Sequence, residues 1–288
     1  MGEWTIGIIG GSGLYRIEGL EDAHWVAVTT PWGKPSDEFL VGHIEGVRCV
    51  FLPRHGRGHY LGPSDLNSRA NIDAMKRLGV TDILSISAVG SLREELPPGH
   101  FVIADQFIDR TFGRAKSFFG KGLVAHVSLA DPVCPRLSDL AAQAARAAKA
   151  PTTLGATYLA MEGPQFSTRA ESALYRQWDC DVIGMTAMPE AKLAREAELP
   201  YALVGMVTDY DCWRTEEAGV EVTDVLRVLN DNAALARRLV LEFIALLPSE
   251  RTASPIDTCL DHALITAQEA RDPETVARLD AVAGRLLR

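Results

Sequence analysis

The chain has 288 residues, of which 47% are hydrophobic and 23% are charged, and its formal net charge is −9 at pH 7. This length suits one large α/β domain or two smaller ones, with enough chain to bury a sizeable core. The negative charge disfavours a nucleic-acid-binding protein, which needs a basic face to neutralise phosphates. A small anionic ligand is still compatible with it, because one arginine and a few backbone amides suffice to bind one.

Strands and helices alternate along the chain, as judged from apolar spacing and turn residues. The predicted elements, in chain order, are strands at 5–9 and 47–52, a helix at 67–78, strands at 81–89 and 101–107, a helix at 137–149, a strand at 153–161, a helix at 167–178, a strand at 182–185, a helix at 189–197, a strand at 201–207 and a helix at 222–247. This alternation predicts one α/β domain over residues 1–288, with a core at about 1–250 and a C-terminal helical tail at 251–288. Asp272 and Pro273 mark a helix start in that tail, as N-cap and first helical residue.

The location of the protein follows from two further features. No apolar run approaches the roughly 20 residues of a membrane span, and the first residues lack the basic region of a signal peptide. The five cysteines are widely scattered and contain no CxxC pair. We therefore expect a cytoplasmic protein with reduced thiols, no membrane association and no zinc site.

Two carboxylates, Asp209 and Asp211, directly follow the apolar run 201–207. A strand end of this kind delivers side chains to the mouth of a sheet, where open α/β sheets bind ligands. The pair suits a ligand with two adjacent N–H donors, such as the adenine edge with its N6 amino group and a protonated N7. The alternative is a solvated acidic turn, because aspartate is common in turns.

The glycine-rich segment 10–14 (GGSGL) follows the first predicted strand. Its amides and the Ser12 hydroxyl could hold an anion. A dinucleotide-binding fingerprint fails because Arg16 replaces the third glycine, and a hydrolase nucleophile elbow fails because Leu14 replaces its last glycine. An anion-binding loop and a plain tight turn both remain open.

The segment 53–59 (PRHGRGH) concentrates two arginines and two histidines after a strand. A guanidinium bonds phosphate in bidentate fashion, which lysine cannot do. His55 and His59 have the spacing of a zinc-binding helix, but the glycines between them disfavour a helix, and we expect no metal. The alternative is a basic surface turn.

Small or hydroxyl-bearing residues end two further strands, at 85–91 (SISAVGS) and at 185–186 (Met-Thr). Such residues let a ligand approach the backbone closely, although they also serve for packing alone. If the four strand ends converge in the fold, they form one phosphate site, composed of Ser12, Arg54, His55, Ser87 and Thr186.

Seven motifs occur in order between Gly10 and Trp213: GGSGL, PRHGRGH, LNSRANI, VGSLREELPPG, MEGPQFSTRAES, IGMTAMPEAKLARE and TDYDCW. Through these motifs the chain resembles the trimeric purine nucleoside phosphorylase superfamily, and most closely its 5′-methylthioadenosine phosphorylases. The resemblance implies an α/β fold, a single domain with a twisted, largely mixed central β-sheet surrounded by helices, and a homotrimer. It further implies that inorganic phosphate cleaves the N-glycosidic bond of a purine nucleoside, without a metal or organic cofactor.

The resemblance also assigns residues to three subsites. The phosphate subsite would contain Ser12, Arg54, His55, Ser87, Ala88 and Thr186. The nucleoside subsite would contain Met185 at the sugar, Phe166 and Ser167 near the base, and Asp209 and Asp211 as the catalytic pair at the purine edge. The pocket for the 5′ substituent would contain Val222, Val225, Leu226 and His126, the last from the same chain or from a neighbouring subunit.

The chemistry of glycosidic bond cleavage explains these assignments. Departure of the base leaves an oxocarbenium-like sugar, which phosphate beneath C1′ stabilises and captures. A carboxyl group of raised pKa can protonate the leaving purine, and Asp211 supplies the like charge that raises the pKa of Asp209. The same carboxylates would repel the O6 acceptor of a 6-oxopurine, so we predict adenine over hypoxanthine or guanine.

Alternatives remain at the level of the sequence. Val222, Val225 and Leu226 have i, i+3, i+4 spacing, which is typical of a core stripe but would favour a methylthio group if it faced a pocket. A phosphorylase for adenosine or methylthioinosine is a close alternative. A non-catalytic nucleoside-binding protein is a more distant one, and the broken glycine pattern disfavours an NAD-dependent oxidoreductase.

Overall fold

The computed structural model describes residues 2–11, 13–214 and 222–287, and between residues 222 and 231 it describes the side chain of Val228 alone. The strands within these ranges are β1 (Thr5–Gly10), β2 (Glu21–Val26), β3 (Phe39–Ile44), β4 (Val47–Pro53), β5 (Asp82–Ser91), β6 (Phe101–Asp109), β7 (Thr152–Ala160), β8 (Val182–Gly184) and β9 (Tyr201–Asp209). The α-helices are α1 (Ser68–Arg77), α2 (Pro135–Ala147), α3 (Arg169–Gln177), α4 (Ala187–Glu196), α5 (Val222–Ala245), α6 (Pro273–Arg278) and α7 (Gly284–Leu287).

The strands form one mixed sheet in the order β2-β3-β4-β1-β5-β8-β7-β6-β9, and β9 also pairs with β5. That extra pairing closes β5, β8, β7, β6 and β9 into a ring. Strands β4, β1, β5 and β9 run parallel to one another, whereas β8 is antiparallel to β5. The carboxyl ends of the four parallel strands therefore meet at one edge, and the predicted α/β fold with a mixed central sheet is confirmed.

Helices cover both faces of the sheet. On one face α2 and α5 pack together over a cluster that includes Leu137, Leu239 and Phe243. On the other face α1 and α4 pack over a second cluster that includes Ile72 and Leu193. Full burial of such side chains stabilises the fold by roughly 1.5–3 kcal/mol each. No helix of the described ranges is both long and apolar enough to cross a membrane.

The segment 251–288 forms short helices and turns rather than one continuous helix, with 3₁₀ turns at Pro255–Thr258 and Gln268–Ala270 before α6 and α7. Asp272 is the N-cap of α6, since its carboxylate accepts a hydrogen bond from the Thr275 amide at 2.8 Å. The predicted helix start is thus confirmed. Leu279 is fully buried in the same cluster as α1 and α4, so this segment completes the second face of the sheet.

Two strands, β2 and β3, were not predicted from the sequence. Strand β2 (EDAHWV) lies at the edge of the sheet, and its first four residues are exposed, so it lacks the apolar alternation of a half-buried strand. Strand β3 (FLVGHI) is almost entirely buried, but the glycine in its centre weakens its strand pattern. Both strands lie on the side of the sheet away from the ring.

Candidate active site

A cavity of about 240 Å³ opens at the carboxyl ends of β1, β4, β5 and β9. The walls contain most of the residues that the sequence singled out, although these lie far apart along the chain. The predicted site residues that line this cavity are Arg54, His55, Ser87, Ala88, Phe166, Met185, Thr186, Asp209 and Asp211. The convergence of strand ends on which a phosphate site depends is therefore present.

Arg54 lies directly after β4, and its backbone amide donates to the Gly10 carbonyl at 2.9 Å. Only 2% of the residue is exposed. Its guanidinium forms an ion pair with Glu190, with 3.0 Å between Arg54 Nε and Glu190 Oε2. Burial lowers the pKa of Arg54, but the charge and hydrogen bonds of Glu190 outweigh this and raise it. A permanent cation is thus fixed at the cavity wall, so the start of this segment belongs to the cavity, whereas Arg57 and Gly58 lie on an exposed turn.

His55 is held as a neutral ring with a defined tautomer. Its Nδ1 lies 3.0 Å from the Leu61 carbonyl, which can only accept, so Nδ1 carries the proton. Burial and the neighbouring Arg54 lower the pKa of His55 to about 4. Nε2 is consequently unprotonated at neutral pH and acts as an acceptor. The His59 ring, which also lines the cavity, stacks on that of His55 at a centroid distance of 4.3 Å.

Two hydroxyl groups lie side by side at the ends of neighbouring elements. Ser87 Oγ on β5 and Thr186 Oγ1 are 2.9 Å apart. Thr186 is the N-cap of α4, yet its side chain makes no capping hydrogen bond, so its hydroxyl is directed to Ser87 and the cavity rather than to the helix. With Ala88 and Arg54, these groups form a set of donors suited to an anion.

Asp209 and Asp211 form a buried acid pair at the end of β9. Asp209 Oδ1 accepts from the Asp211 amide at 2.8 Å, and Oδ2 accepts from the Thr208 hydroxyl at 2.7 Å. Asp211 Oδ2 is buried and makes no short hydrogen bond among the described residues, although the Ser172 and Ser167 hydroxyls lie close enough to act against the rise in its pKa. Burial raises the pKa of both carboxyl groups, and the charge of Asp211 raises that of Asp209 further. This burial contradicts a solvated acidic turn.

Apolar side chains line the same cavity as the anion-binding donors and the acid pair, and Met185 and Phe166 are among them. Arg114 fixes the backbone beneath Met185, because its Nη1 donates to the Met185 carbonyl at 2.5 Å. Arg114 also pairs with Glu162, whose carboxylate accepts from the Phe112 amide at 2.6 Å. Although burial acts to raise the pKa of Glu162, these hydrogen bonds and that of Ser64 lower it to about 2. The cluster is a permanent ionic support for the cavity wall.

The remaining predicted residues lie elsewhere or outside the described part. Ser167 does not line the cavity but borders it, since its hydroxyl contacts Met161 Sδ at 3.7 Å. His126 lies in a separate surface depression that shares no described lining residue with the cavity. Ser12 lies outside the described residues, as do the side chains of the predicted 5′ pocket on α5, namely Val222, Val225 and Leu226.

The structure adds residues that sequence reasoning did not assign to the site. His59 had a visible signal in its spacing from His55. Glu190 and Arg114 do not line the cavity, but they hydrogen-bond to the Arg54 side chain and to the Met185 backbone, two residues that do. Within the described ranges, no group of three or more His, Cys, Asp or Glu side chains is arranged to hold a metal ion. The absence of a metal remains a prediction.

A mixed α/β sheet that places anion-binding donors and a buried acid pair in one cavity defines an enzyme of the nucleoside phosphorylase type. The sequence profile of the Phosphorylase superfamily matches residues 5–245. The chain belongs to this family.

Relatives of known name cover nearly the whole chain. The S-methyl-5′-thioadenosine phosphorylase of Cereibacter sphaeroides is 62% identical over 98% of this chain and 98% of its own, and that of Rhodospirillum rubrum is 59% identical over 98% and 97%. Among solved structures, a methylthioadenosine phosphorylase from an antarctic soil metagenomic library superposes with a TM-score of 0.92 at 48% identity, covering 98% and 99% of the two chains. Methylthioadenosine phosphorylase from Schistosoma mansoni in complex with adenine gives 0.81 at 39% identity, covering 86% and 93%.

Proposed function

We propose that the protein cleaves 5′-methylthioadenosine with inorganic phosphate to adenine and 5-methylthioribose 1-phosphate. The observation that carries this proposal is the placement of an anion-binding set, a buried acid pair and apolar side chains in one cavity. The names of relatives with up to 62% identity support the choice of nucleoside.

The geometry suggests a role for each group in the reaction. Arg54, Ser87 and Thr186 hold phosphate as it attacks C1′, where a C–O bond forms while the bond from C1′ to N9 of adenine breaks. The electron pair of the broken bond goes to the purine. Asp209, whose pKa burial raises, donates its proton to N7 and so neutralises the leaving base.

Selection between nucleosides depends on the two ends of the substrate. At the base, Asp211 Oδ2 is a buried acceptor without a short hydrogen bond among the described residues, which fits the N6 amino group of adenine and disfavours a 6-oxo group. At the sugar, we assign Val222, Val225 and Leu226 to the methylthio group. No cofactor is needed, because phosphate is the second substrate.

We also propose that the enzyme is a cytoplasmic homotrimer in which His126 completes the site of a neighbouring subunit. His126 is exposed and does not reach the cavity of its own chain. Large apolar side chains are exposed near both places: Phe166 at the cavity and Val124 beside His126. A contact between subunits at these places would cover both side chains. The five cysteines are free thiols, as expected in a reducing compartment.

A panel of four nucleosides tests the function. Methylthioadenosine, adenosine, methylthioinosine and inosine are each incubated with and without phosphate, and the released base is quantified. We expect phosphate-dependent release of adenine, with methylthioadenosine giving the highest kcat/KM. Faster release of hypoxanthine would refute the assignment of the acid pair. Binding of adenine without any phosphate-dependent turnover would refute the enzyme itself.

A further inference from the structure

Behind the phosphate side of the cavity, Arg54 and Glu190 form a fully enclosed ion pair. Glu190, on the first turn of α4, is only 4% exposed. Its two carboxylate oxygens accept from Arg54 Nε at 3.0 Å and from Nη2 at 3.2 Å. Glu190 Oε1 also accepts from the Ser85 and Tyr201 hydroxyls, at 2.7 and 2.9 Å. Four donors therefore fix one carboxylate, and the carboxylate fixes one whole edge of the guanidinium.

The other contacts of Arg54 leave little of the guanidinium free. Its Nη2 also donates to Ser85 Oγ at 2.5 Å and approaches the Ile9 carbonyl at 3.4 Å, while Nη1 donates to the Ile86 carbonyl at 3.0 Å. A guanidinium has five N–H groups. Among the described residues these acceptors occupy four of them, and the second N–H of Nη1 is left for an anion.

The pair also determines the charge of the phosphate side. Arg54 is the one lysine or arginine among the described residues that line the cavity, and the adjacent His55 is neutral. Glu190 compensates the charge of Arg54, so phosphate is held by directed N–H and O–H donors rather than by a net positive charge. A phosphate bound in this way keeps its own negative charge for the cationic sugar of the transition state.

We propose that Glu190 is a positioning residue of the reaction, which holds Arg54 so that a single N–H is presented to phosphate. This inference rests on the proposed phosphorolysis and extends it to a residue that does not line the cavity. The orientation of the Arg54 guanidinium and its positive charge contribute separately to phosphate binding, and a substitution at Glu190 changes the two in different ways.

The test is Glu190→Gln in the full-length enzyme. The glutamine amide has one acceptor oxygen, and its NH₂ group faces the donors of Arg54, so it cannot hold both nitrogens. We expect the KM for phosphate and the Kd of inorganic phosphate by calorimetry to rise about tenfold, the effect of roughly one charge-assisted hydrogen bond. The KM for the nucleoside should change less than about threefold, because Glu190 does not line the cavity. A lower Kd for phosphate would overturn the proposal, because the unpaired charge of Arg54 would then matter more than its direction.

Glu198→Gln is the matched control. Glu198 follows α4, its side chain is 4% exposed, and it pairs with Arg285 far from the cavity wall. The same substitution there removes a buried partner of an arginine without touching Arg54. We expect a loss of thermal stability with an unchanged Kd for phosphate. An equal rise in this Kd in both variants would assign the effect to general loosening and overturn the proposal.

Tyr201→Phe tests the inference even if Glu190→Gln does not fold. It removes one of the four donors to the Glu190 carboxylate while keeping the ion pair, and Tyr201 does not line the cavity. We expect a rise of about threefold in the Kd of phosphate, within the range of one neutral hydrogen bond. An unchanged Kd would overturn the positioning role. The proposed function fails separately, if the unsubstituted enzyme binds phosphate but releases no adenine from methylthioadenosine.

Discussion

At the scale of single residues, burial distinguishes the charged groups of the candidate site from charged groups on the surface. Asp211 is 9% exposed and Arg54 is 2% exposed, although both belong to segments that an exposed turn could equally have explained. Charged groups are costly to bury without a purpose or a partner. Arg54 has its partner in Glu190, whereas one oxygen of Asp211 makes no short hydrogen bond among the described residues. The sequence showed the residue types, but only the fold shows their exposure.

Asp209→Asn tests the proposed acid. We expect kcat for methylthioadenosine to fall about 10²–10⁴-fold, the usual contribution of a general acid, while the melting temperature stays close to that of the unsubstituted enzyme. The protonated acid is the active form, and burial raises the pKa of Asp209. Turnover should therefore fall as the pH rises through that pKa, and the variant should lack this alkaline limb. The exposed Asp105→Asn serves as the control. If turnover of the Asp209→Asn variant still fell with rising pH, the proton donor to the purine would be a group other than Asp209.

At the scale of elements, the sequence indicated the strand ends but not their supports. The strands before Arg54, Ser87 and Asp209 were predicted because buried strands give continuous apolar runs, and polar residues mark where these runs end. Parallel pairing then brings the ends to one edge. The supports depend on contacts between residues far apart in the chain, such as Glu190 with Arg54, and no local pattern encodes such contacts. The exposed strand β2 was missed because tertiary pairing, rather than its own sequence, makes it a strand.

Gly184, at the end of β8, must remain a glycine because Tyr158 fills the space beside it. A Cβ at Gly184 would overlap the Tyr158 hydroxyl, and Tyr158 is fully buried and cannot move aside. That hydroxyl also accepts from the Thr186 amide at 3.5 Å. We expect Gly184→Ala to lower the free energy of unfolding by about 1–3 kcal/mol through overpacking and to raise the KM for phosphate through displacement of Thr186.

Chemical denaturation of four proteins checks this assignment: the unsubstituted enzyme, Gly184→Ala, Tyr158→Phe and the double variant. Removal of the hydroxyl should relieve part of the clash, so the double variant should be more stable than the sum of the single effects allows. Strict additivity would mean that Tyr158 is not the group that excludes a side chain at Gly184.

At the scale of the whole molecule, the last part of the chain packs into the fold, and His126 lies outside the cavity of its own chain. Leu279 packs beside α1 and α4, and Arg251 pairs with Asp82 at the start of β5. These contacts join residues more than 80 positions apart, so the sequence could indicate a helix start at Asp272 but not where the segment docks. The sequence likewise could not indicate where His126 lies. It lines a surface depression that shares no described residue with the cavity of its own chain.

Mixed oligomers test the proposed contribution of His126. His126→Ala should raise the KM for methylthioadenosine, and Asp209→Asn should lower kcat. If each His126 serves a neighbouring subunit, a mixed trimer contains sites that combine an intact Asp209 with an intact His126 from the next chain. Every mixed trimer has two chains of one variant and one of the other, so about a third of its sites are intact in a cyclic arrangement. Co-expression with two affinity tags isolates these oligomers, and each variant mixed with itself is the control.

The two possible positions of His126, in the site of its own chain or of a neighbouring chain, give different values of kcat/KM in this experiment. When His126 acts within its own chain, every site in the mixed oligomer lacks either the histidine or the aspartate, and kcat/KM stays at the mean of the two variants. When it acts across a contact, kcat/KM rises to about a third of that of the unsubstituted enzyme, because a cyclic interface places the His126 of each chain beside the cavity of a different chain. Recovery on mixing would therefore locate the 5′ pocket at a subunit contact, which explains why a single chain separates His126 from the acid pair.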